Sequence, residues 1–288
     1  MPRSPEPAPL PFLASRSLSE LPRPSIVLQG APWDGSVSWR RGAAEGPRAI
    51  REASESIEEF SLRRRRNLRE VPFADAGDLS LPEGAAGVVT AIAEATERWA
   101  RAGARVVTLG GDHSISIGTA QGLHRVYPNL AHLVFDAHFD LRDSYDGSPF
   151  SHACGTRRMA ELGPVAVLGV RSAAEEELRA ADAAGVAWNS DLVLPRGAFE
   201  RLAGRPLHVS IDCDVLDPSA LPGTGNPEPG GASYRELVAV LETAFRGFEV
   251  VAVDVCEVAP PLDPTGRSAV TAAALVRELL LLLDRPGN

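Results

Sequence analysis

Short apolar runs alternate with longer amphipathic stretches along this chain. Six runs are almost continuously apolar, which is typical of strands buried on both faces of a parallel sheet; they cover residues 25–28, 105–109, 131–135, 165–170, 207–211 and 250–255. Helical spacing occurs over residues 87–101, 117–126, 173–184, 233–245 and 268–283, and two of these stretches begin with a serine able to cap a helix. The alternation predicts repeated βα units and therefore an α/β fold.

The length of the chain favours one domain rather than two. Its 288 residues are 44% hydrophobic and 23% charged, which are ordinary values for a globular protein with one large core. Residues 1–24 are rich in proline and serine and lack the apolar core of a secretory signal, so we predict a loosely held arm there. Residues 25–288 are predicted to form a single catalytic domain, with a mostly parallel sheet covered by helices on both faces.

Polar clusters stand directly after three of the predicted strands. In a parallel sheet with helices on both faces, ligands bind in the crevice outside the carboxyl ends of the strands. All three clusters should therefore open into one crevice. Their candidate functional residues are Asp112, His113, Asp136, His138, Asp140, Asp212 and Asp214.

The spacing within these clusters suggests how their side chains converge. Alternate side chains of an extended backbone project to the same side, so Asp136, His138 and Asp140 can face one another. Asp212 and Asp214 are expected to repeat this arrangement from another strand. Four carboxylates in one partly buried crevice repel each other and resist ionisation, so the site requires cations.

Two divalent ions would balance the charges of these four aspartates. Paired ions about 3.5–4 Å apart lower the pKa of a shared water and make hydroxide available at neutral pH. Oxygen-rich sites with a few imidazoles and no thiolate suit manganese, with zinc, iron, cobalt and nickel as competitors. The pattern therefore predicts a hydrolytic centre for two Mn²⁺ ions.

Composition and charge argue against several partners and locations. A net charge of −9 argues against nucleic acid and weakly favours a cationic substrate. The most apolar stretch, residues 272–283, is interrupted by Arg277 and Glu278 and is shorter than the ~20 residues that span a bilayer, so we expect no membrane insertion. The three cysteines lack Cys-x-x-Cys spacing and fit a reducing cytoplasm. The basic run at residues 63–66 is expected to be solvated rather than bound to an anionic surface or a neighbouring subunit.

Three motifs carry a resemblance to a known family. They read Gly-Gly-Asp-His-Ser at residues 110–114, Asp-Ala-His-Phe-Asp at 136–140 and Ser-Ile-Asp-Cys-Asp-Val-Leu-Asp-Pro at 210–218. Together they resemble the signatures of the ureohydrolases, the family of arginases, agmatinases and formimidoylglutamases, over nearly the whole chain. The resemblance implies an αβα sandwich around a mostly parallel sheet of about eight strands, a binuclear manganese centre and a homo-oligomer, either a trimer or a hexamer.

The resemblance also implies roles for individual residues. Asp140 would bind metal and also carry a proton to the departing amine. Glu257 would bind the guanidinium of the substrate, because a carboxylate pairs bidentately with a planar fork of N–H donors. His152 would shuttle protons near the mouth of the site, and Asn226 would contact the substrate. The implied metal ligands are His113, Asp136, His138, Asp140, Asp212 and Asp214.

The implied reaction is hydrolysis of a small cationic guanidino compound to urea and an amine. Residues 151–155 read Ser-His-Ala-Cys-Gly and lack the Ser-x-Asn-x-His-Gly stretch with which arginases hold the amino acid end of arginine. This loop, together with residues 46–51 and 223–231, is similar to agmatinases and favours agmatine as the substrate. Guanidinobutyrate, arginine and other guanidino acids stay open, because Asn226 replaces the threonine more usual in arginases.

Two other interpretations are open. Cys154, two residues from His152, could act as a nucleophile that yields ammonia and a ureido product, although the aspartate clusters would then have no purpose. Alternatively, the chain is a ureohydrolase-like subunit that binds a ligand without turnover. The intact set of six implied metal ligands argues against this second interpretation.

Overall fold

The computed structural model describes residues 10–284 and contains an eight-stranded sheet and a separate hairpin. The strands are β1 Ile26–Ala31, β2 Phe60–Ser61, β3 Arg66–Asn67, β4 Phe73–Asp78, β5 Arg105–Gly110, β6 Ala131–Phe135, β7 Val165–Leu168, β8 Ala187–Asn189, β9 Pro206–Asp212 and β10 Glu249–Cys256. The sheet has the order β4-β1-β5-β10-β9-β6-β7-β8, and all its neighbouring pairs are parallel. Strands β2 and β3 form the antiparallel hairpin.

Eight α-helices of the described residues cover the sheet on both faces. They are α1 Gly46–Ser54, α2 Ala85–Arg101, α3 Ile115–His124, α4 Gly155–Ala160, α5 Glu175–Ala184, α6 Arg196–Leu202, α7 Tyr234–Gly247 and α8 Arg267–Leu283. Apolar side chains of α1, α6, α7 and α8 share one large core with the sheet, whereas α2, α3, α4 and α5 pack in smaller clusters on the other face. This three-layer αβα arrangement confirms the predicted fold class.

All six predicted strands are present, and the two that the apolar pattern missed are the edge strands of the sheet. A central strand of a parallel sheet is covered on both faces and is continuously apolar, whereas an edge strand is partly solvated. Strand β4 accordingly contains Asp75, Gly77 and Asp78, and β8 is only three residues long with Trp188 38% exposed. Neither edge strand has the apolar run that marks the centre of the sheet.

The predicted helices are present, but only one of the two serines predicted to cap acts as a cap. Ser233 accepts a hydrogen bond from the backbone N–H of Glu236 (3.3 Å), whose side chain accepts one from the N–H of Ser233 (2.8 Å). The prediction that Ser268 caps its helix was wrong, because Gly266 occupies the cap position of α8. The Ser268 hydroxyl instead donates to Asp263 (2.6 Å). The short helices α1, α4 and α6 escaped prediction because six to nine residues show too little periodicity.

The described part of the predicted arm contacts the domain more closely than expected. Phe12 is 1% exposed and belongs to the main core, and its backbone N–H donates to the carboxylate of Asp75 (2.9 Å). A buried aromatic side chain and backbone hydrogen bonds together attach this polar segment to the domain. Residues 1–9 of the arm lie outside the described residues, and the domain boundary at residue 24 stays a prediction.

The basic run at residues 63–66 is solvated only in part: Arg63 and Arg65 are exposed, as expected, whereas Arg64 and Arg66 are partly buried. Acidic side chains on α7, on α8 and directly after α8 face the hairpin and pair with three of these arginines. A local charge count could not show these partners, which lie more than 170 residues away in sequence. The ion pairs are Arg63–Glu242 (2.6 Å), Arg64–Glu278 (2.9 Å) and Arg66–Asp284 (2.6 Å).

The apolar stretch considered above for membrane insertion forms part of helix α8. Among residues 10–284, no helix is both long enough and apolar enough to cross a bilayer.

Arg51 joins helix α1 to edge strand β4 through a buried ion-pair network. Its side chain is 1% exposed, and its guanidinium donates to both carboxylate oxygens of Asp75 (2.8 and 3.0 Å) and to Asp78 (2.6 Å). Asp75 also accepts the N–H of Phe12, so the same carboxylate holds the arm, the helix and the strand together.

We expect Arg51→Met to destabilise the protein strongly. Removing one partner of a buried ion pair leaves the other charge uncompensated, which costs about 3–5 kcal/mol. The control is Arg48→Met on the same helix, where an ion pair with Glu52 is about half exposed and contributes about 1 kcal/mol or less. Urea-induced unfolding of both variants measures the difference, and equal losses would contradict the role of Arg51.

Candidate metal centre

Four adjacent strands at the centre of the sheet end at one crevice. Strands β5, β10, β9 and β6 are neighbours in the sheet, and their carboxyl ends lead to His113, Glu257, Asp212 and Asp136 respectively. Since parallel strands end at the same edge, residues that are far apart in sequence meet there. The structure brings all six predicted ligand residues and Glu257 to this crevice.

The first cluster combines His113, Asp136 and Asp140, whose ligand atoms lie within 4.8 Å of one another. The Nδ1 atom of His113 is 3.0 Å from an oxygen of Asp136 and 3.0 Å from an oxygen of Asp140. Asp212 approaches the same nitrogen to 3.4 Å. All four side chains are buried, so the cluster forms a compact group of one imidazole and three carboxylates.

The second cluster combines Asp136, His138 and Asp214. The Nδ1 atom of His138 is 2.9 Å from Asp214 Oδ2 and 3.6 Å from Asp136 Oδ1. Asp136 therefore belongs to both clusters, with Oδ2 facing His113 and Oδ1 facing His138. One fully buried carboxylate links two groups that could each hold a divalent ion.

The backbone that carries these side chains is bent rather than extended, contrary to the expectation from alternate spacing. Strand β6 ends at Phe135, and Asp140 adopts a left-handed φ of 52°. Asp214 lies in a turn in which its N–H donates to Asp212 Oδ1 (2.9 Å), and Glu257 has a φ of 63°. A left-handed non-glycine residue costs about 1–3 kcal/mol and persists only where its surroundings impose it. The side chains thus converge through bends after the strand ends.

The crowding of buried carboxylates shifts pKa values in both directions. Burial and the charge of Asp136 raise the pKa of Asp140 to about 6, and burial with the charges of Asp214 and Asp136 raises the pKa of Asp212 well above its usual range. Burial also opposes ionisation of Asp136, but the two imidazoles outweigh it and hold its pKa below the usual value. Burial disfavours the charged form of His138, yet Asp136 and Asp214 raise its pKa to about 12.

The donor set fits divalent metal ions. The fully buried Oδ2 of Asp136 lies 3.0 Å from His113 Nδ1 but accepts no well-aligned hydrogen bond from the described residues, so a cation there would satisfy it. Carboxylate oxygens and imidazole nitrogens, with no cysteine in either cluster, suit manganese and its neighbours among the divalent ions. The other ring nitrogen of His113 lies 2.9 Å from Ser210 Oγ, an outer contact that orients a metal-binding imidazole.

Glu257 ties the end of β10 to the end of β5. Its Oε1 accepts the backbone N–H of His113 (2.8 Å), and its own N–H donates to the carbonyl of Gly111 (2.9 Å). Burial and the charge of Asp112 raise the pKa of this carboxyl well above its usual range. A cation in the crevice would favour its ionised form, as a binder of guanidinium requires.

A cavity of about 340 Å³ opens beside the two clusters. His152 and Asn226 line it, where the resemblance places residues that contact substrate. The backbone N–H of His152 donates to Ser36 Oγ (2.9 Å), and the side chain of Asn226 donates to Ser38 Oγ (2.9 Å). The lining also includes Asp140, Arg142, Tyr145, Glu177, Asp214 and Glu257.

Sequence analysis missed four residues that support the site: Ser36, Ser38, Ser210 and Arg171. Ser210 lies two positions before Asp212 on β9, so strand alternation could have placed it beside the ligands. Arg171 directly follows the predicted strand at residues 165–170. A search for polar residues at the end of this fourth strand, as at the other three, would have found it. The two serines lie in the irregular loop after β1, where the sequence offers no periodic signal.

Comparisons with known proteins agree with this architecture. A sequence model of the Arginase family matches residues 24–282. An agmatinase of Bacillus anthracis is 40% identical over 263 residues, which cover 89% of this chain and 91% of that protein. An N(1)-aminopropylagmatine ureohydrolase of Thermococcus kodakarensis is 35% identical over 268 residues, covering 90% of this chain and 91% of that protein.

Solved structures show the same fold. Proclavaminate amidino hydrolase from Streptomyces clavuligerus superimposes with a TM-score of 0.85 at 29% identity, covering 97% of this chain and 99% of that one. The chain is therefore similar to one class of protein in both sequence and fold, over about nine-tenths of its length or more. The chain belongs to the arginase family, as the resemblance predicted. Agmatinases of this family are hydrolases of guanidino carbon–nitrogen bonds, and the family is metal-dependent.

We expect Mn²⁺ to stabilise the metal-free protein, and to do so more strongly as pH rises. A ligand that binds only the native state adds about 2.7 kcal/mol when its free concentration is about 100 times its dissociation constant. The pKa of His138 is raised from 6.5 to about 12, so its charged form stabilises the metal-free fold fully below pH 6.5, and that contribution is lost as pH rises toward 12. Asp140 acts with the same sign between pH 3.8 and about 6, because its proton is bound more tightly in the fold.

Metal ions bind the deprotonated imidazole, so Mn²⁺ competes with these protons and gains affinity as pH rises. Melting temperatures of protein stripped with a chelator, measured with and without Mn²⁺ across pH, test this expectation. The increase caused by Mn²⁺ should grow as pH rises, because the His138 proton competes with the metal at every pH below the raised pKa of about 12. Melting temperatures that do not respond to Mn²⁺ at any pH would contradict the assignment of a metal centre.

Proposed function

We propose that this chain hydrolyses agmatine to urea and putrescine by adding water across a guanidino carbon–nitrogen bond. The observation that carries the proposal is the pair of clusters sharing Asp136, with Glu257 beside them in one cavity. Similarity to agmatinases over about nine-tenths of both chains supports agmatine as the substrate. Residues 151–155, which lack the arginase sequence for the amino acid end of arginine, support the same choice.

The proposed cofactor is a pair of Mn²⁺ ions, with other divalent metals as alternatives. When bound, two such ions activate water for attack at neutral pH and stabilise negative charge that develops on oxygen. Carboxylates and imidazoles without thiolate support manganese over softer metals. The residues proposed to hold the ions are His113, Asp136, His138, Asp140, Asp212 and Asp214.

Glu257 is the proposed guanidinium binder. Its carboxylate is buried and lines the cavity, and only one of its oxygens accepts the N–H of His113. The remaining lone pairs can accept from the planar N–H donors of a guanidinium, which is a charge-assisted contact. Asn226, held by Ser38, lines the same cavity and is the proposed second contact to the substrate.

Asp140 and His152 are the proposed proton carriers. Asp140 lines the cavity, where its carboxylate can accept a proton from the attacking water and release it again. In the proposed reaction, Asp140 passes this proton to the departing amine. His152 lies at the same cavity with its backbone fixed by Ser36, where an imidazole can exchange protons with solvent.

Other substrates and a role without turnover are alternatives. The structural similarity to proclavaminate amidino hydrolase keeps guanidino acids, including guanidinobutyrate and arginine, open as substrates. A binding subunit without activity is the alternative of a different class. The presence of every proposed ligand in one crevice favours the enzyme.

We also propose a homo-oligomer, either a trimer or a hexamer, in the cytoplasm. The assembly rests on family resemblance. Cys154, Cys213 and Cys256 are all buried and unpaired, which supports a reducing compartment. The net charge of −9 supports a small cationic substrate rather than nucleic acid or membrane as the partner.

The test is urea release by Mn²⁺-loaded protein, with agmatine, guanidinobutyrate, guanidinopropionate and arginine as substrates and formiminoglutamate assayed for formamide. We expect the highest kcat/KM with agmatine. Asp136→Asn should reduce the activity to background, because this carboxylate belongs to both clusters. A lack of metal-dependent turnover on every compound would refute the enzyme, whereas preference for a guanidino acid would correct only the substrate.

Cys154→Ala should retain full activity. Burial raises the pKa of the Cys154 thiol to about 11, so little thiolate exists at neutral pH, and its sulfur contacts the carbonyl of Ser148 (3.8 Å). The cysteine is also absent from the residues that line the cavity. Loss of urea release at an unchanged melting temperature would instead support the thiol chemistry considered above.

A further inference from the structure

Arg171 lies three residues beyond the end of β7, at the same edge of the sheet as the metal centre. Its guanidinium is partly buried and donates to backbone carbonyls of several different segments. Among the described residues, no carboxylate forms an ion pair with it. The acceptors are the carbonyl oxygens of Asp214 (2.7 Å), Glu228 (2.8 Å), Gly169 (3.1 Å), Pro229 (3.1 Å), Val215 (3.4 Å) and Leu216 (3.5 Å).

Two of these segments border the proposed active site. The turn that carries Asp214 accepts hydrogen bonds at three successive carbonyls, and the first of them belongs to Asp214 itself. The segment at residues 228–231 follows Asn226 and is held from its other side by Asp217, which accepts the N–H groups of Gly230 and Gly231. Arg171 and Asp217 thus fix the two segments against each other.

The backbone of Arg171 reaches a third segment. Its N–H donates to the carbonyl of Ala137 (2.9 Å), and the N–H of Ala137 donates to Asp214 Oδ1 (3.0 Å). Ala137 lies between Asp136 and His138, so the three residues of the second cluster are connected through Arg171 by its side chain and its main chain. His113 and Asp140 of the first cluster form their hydrogen bonds with residues other than Arg171.

Two glycines make this arrangement possible. A side chain at Gly231 would place its Cβ 2.6 Å from the Nη2 atom of Arg171, and one at Gly169 would place its Cβ 2.6 Å from Val215. Gly169 also has a φ of 101°, a conformation that side chains disfavour. Gly231 therefore keeps free the space through which the arginine reaches the carbonyls, and Gly169 lets Val215 of the Asp214 turn approach the end of β7.

We propose that Arg171 is a positioning residue that holds Asp214 for the second metal ion. The inference rests on the two-ion centre of the proposed function. A planar guanidinium with five N–H donors can satisfy several carbonyls at fixed angles, which a lysine cannot do. Loss of this fork frees the turn that carries Asp214. The ion held by Asp136, His138 and Asp214 then binds more weakly, whereas the ion beside His113 stays bound.

The experiment titrates Mn²⁺ into the metal-free full-length chain, by calorimetry and by electron paramagnetic resonance. The native protein should bind two ions per chain and show the spectrum of a coupled Mn²⁺ pair. In Arg171→Gln the dissociation constant of the second ion should rise about 10–100-fold, the usual effect of losing a partner behind a metal ligand. At limiting Mn²⁺ the spectrum should be that of an isolated ion.

Arg205→Gln is the matched control. Arg205 also donates to carbonyls, those of Arg201 (3.1 Å) and Asn129 (3.3 Å), but it precedes β9 and lies at the opposite edge of the sheet. This variant should bind both ions as the native chain does. Arg171→Lys keeps the charge without the fork and should show an intermediate loss of the second ion, which keeps the test decisive should the glutamine variant fail to fold.

The outcomes separate this proposal from the proposed function. A native chain that binds no Mn²⁺ would overturn both. If the native chain binds two ions, then native-like binding in the Arg171 variants, or an equal loss of both ions, would overturn the positioning role and leave the metal centre standing. Selective loss of the second ion, with the Arg205 variant unaffected, is the supporting result.

Discussion

Repulsion among buried carboxylates at the carboxyl edge of the sheet is the constraint on which the rest of this structure depends. Asp136, Asp140, Asp212, Asp214 and Glu257 share one crevice, and all are at most 7% exposed. Water cannot screen charges at that depth, so neighbouring groups must compensate them. Two imidazoles, backbone N–H groups and the proposed cations serve this purpose. The apolar centre of the sheet holds the compensating groups in place.

Much of this arrangement follows from local patterns. The four central strands that end at the crevice are covered on both faces, so each is an almost continuous apolar run that a sequence can reveal. Their polar ends then show where the site must be, because parallel strands open their ligand crevice at one edge. His113, Asp136 and Asp212 were therefore located by simple rules. The proposed guanidinium role of Glu257 came from family resemblance alone.

The remaining features depend on contacts between distant parts of the chain. Arg64 pairs with Glu278, and Arg171 donates to carbonyls 43 to 58 residues away, so no local spacing encodes either contact. Edge strand β4 is defined by its pairing with β1 rather than by an apolar run. The bends at Asp140 and Asp214 were also hidden, since alternate spacing is equally consistent with an extended strand. The types of side chain at the site were thus easier to predict than the path of the backbone that carries them.

Asp140 and Glu257 have a left-handed backbone, and selection for folding and selection for catalysis favour different residues at such positions. For the fold alone, glycine would be the more comfortable residue at either position, because it adopts this conformation without a steric penalty. For the proposed chemistry, only a carboxylate serves at either position. A population of variants screened for folding should therefore accumulate small residues there, whereas one screened for turnover should preserve the acids. Positions at which the two screens favour different residues would be those where this protein loses stability for the sake of catalysis.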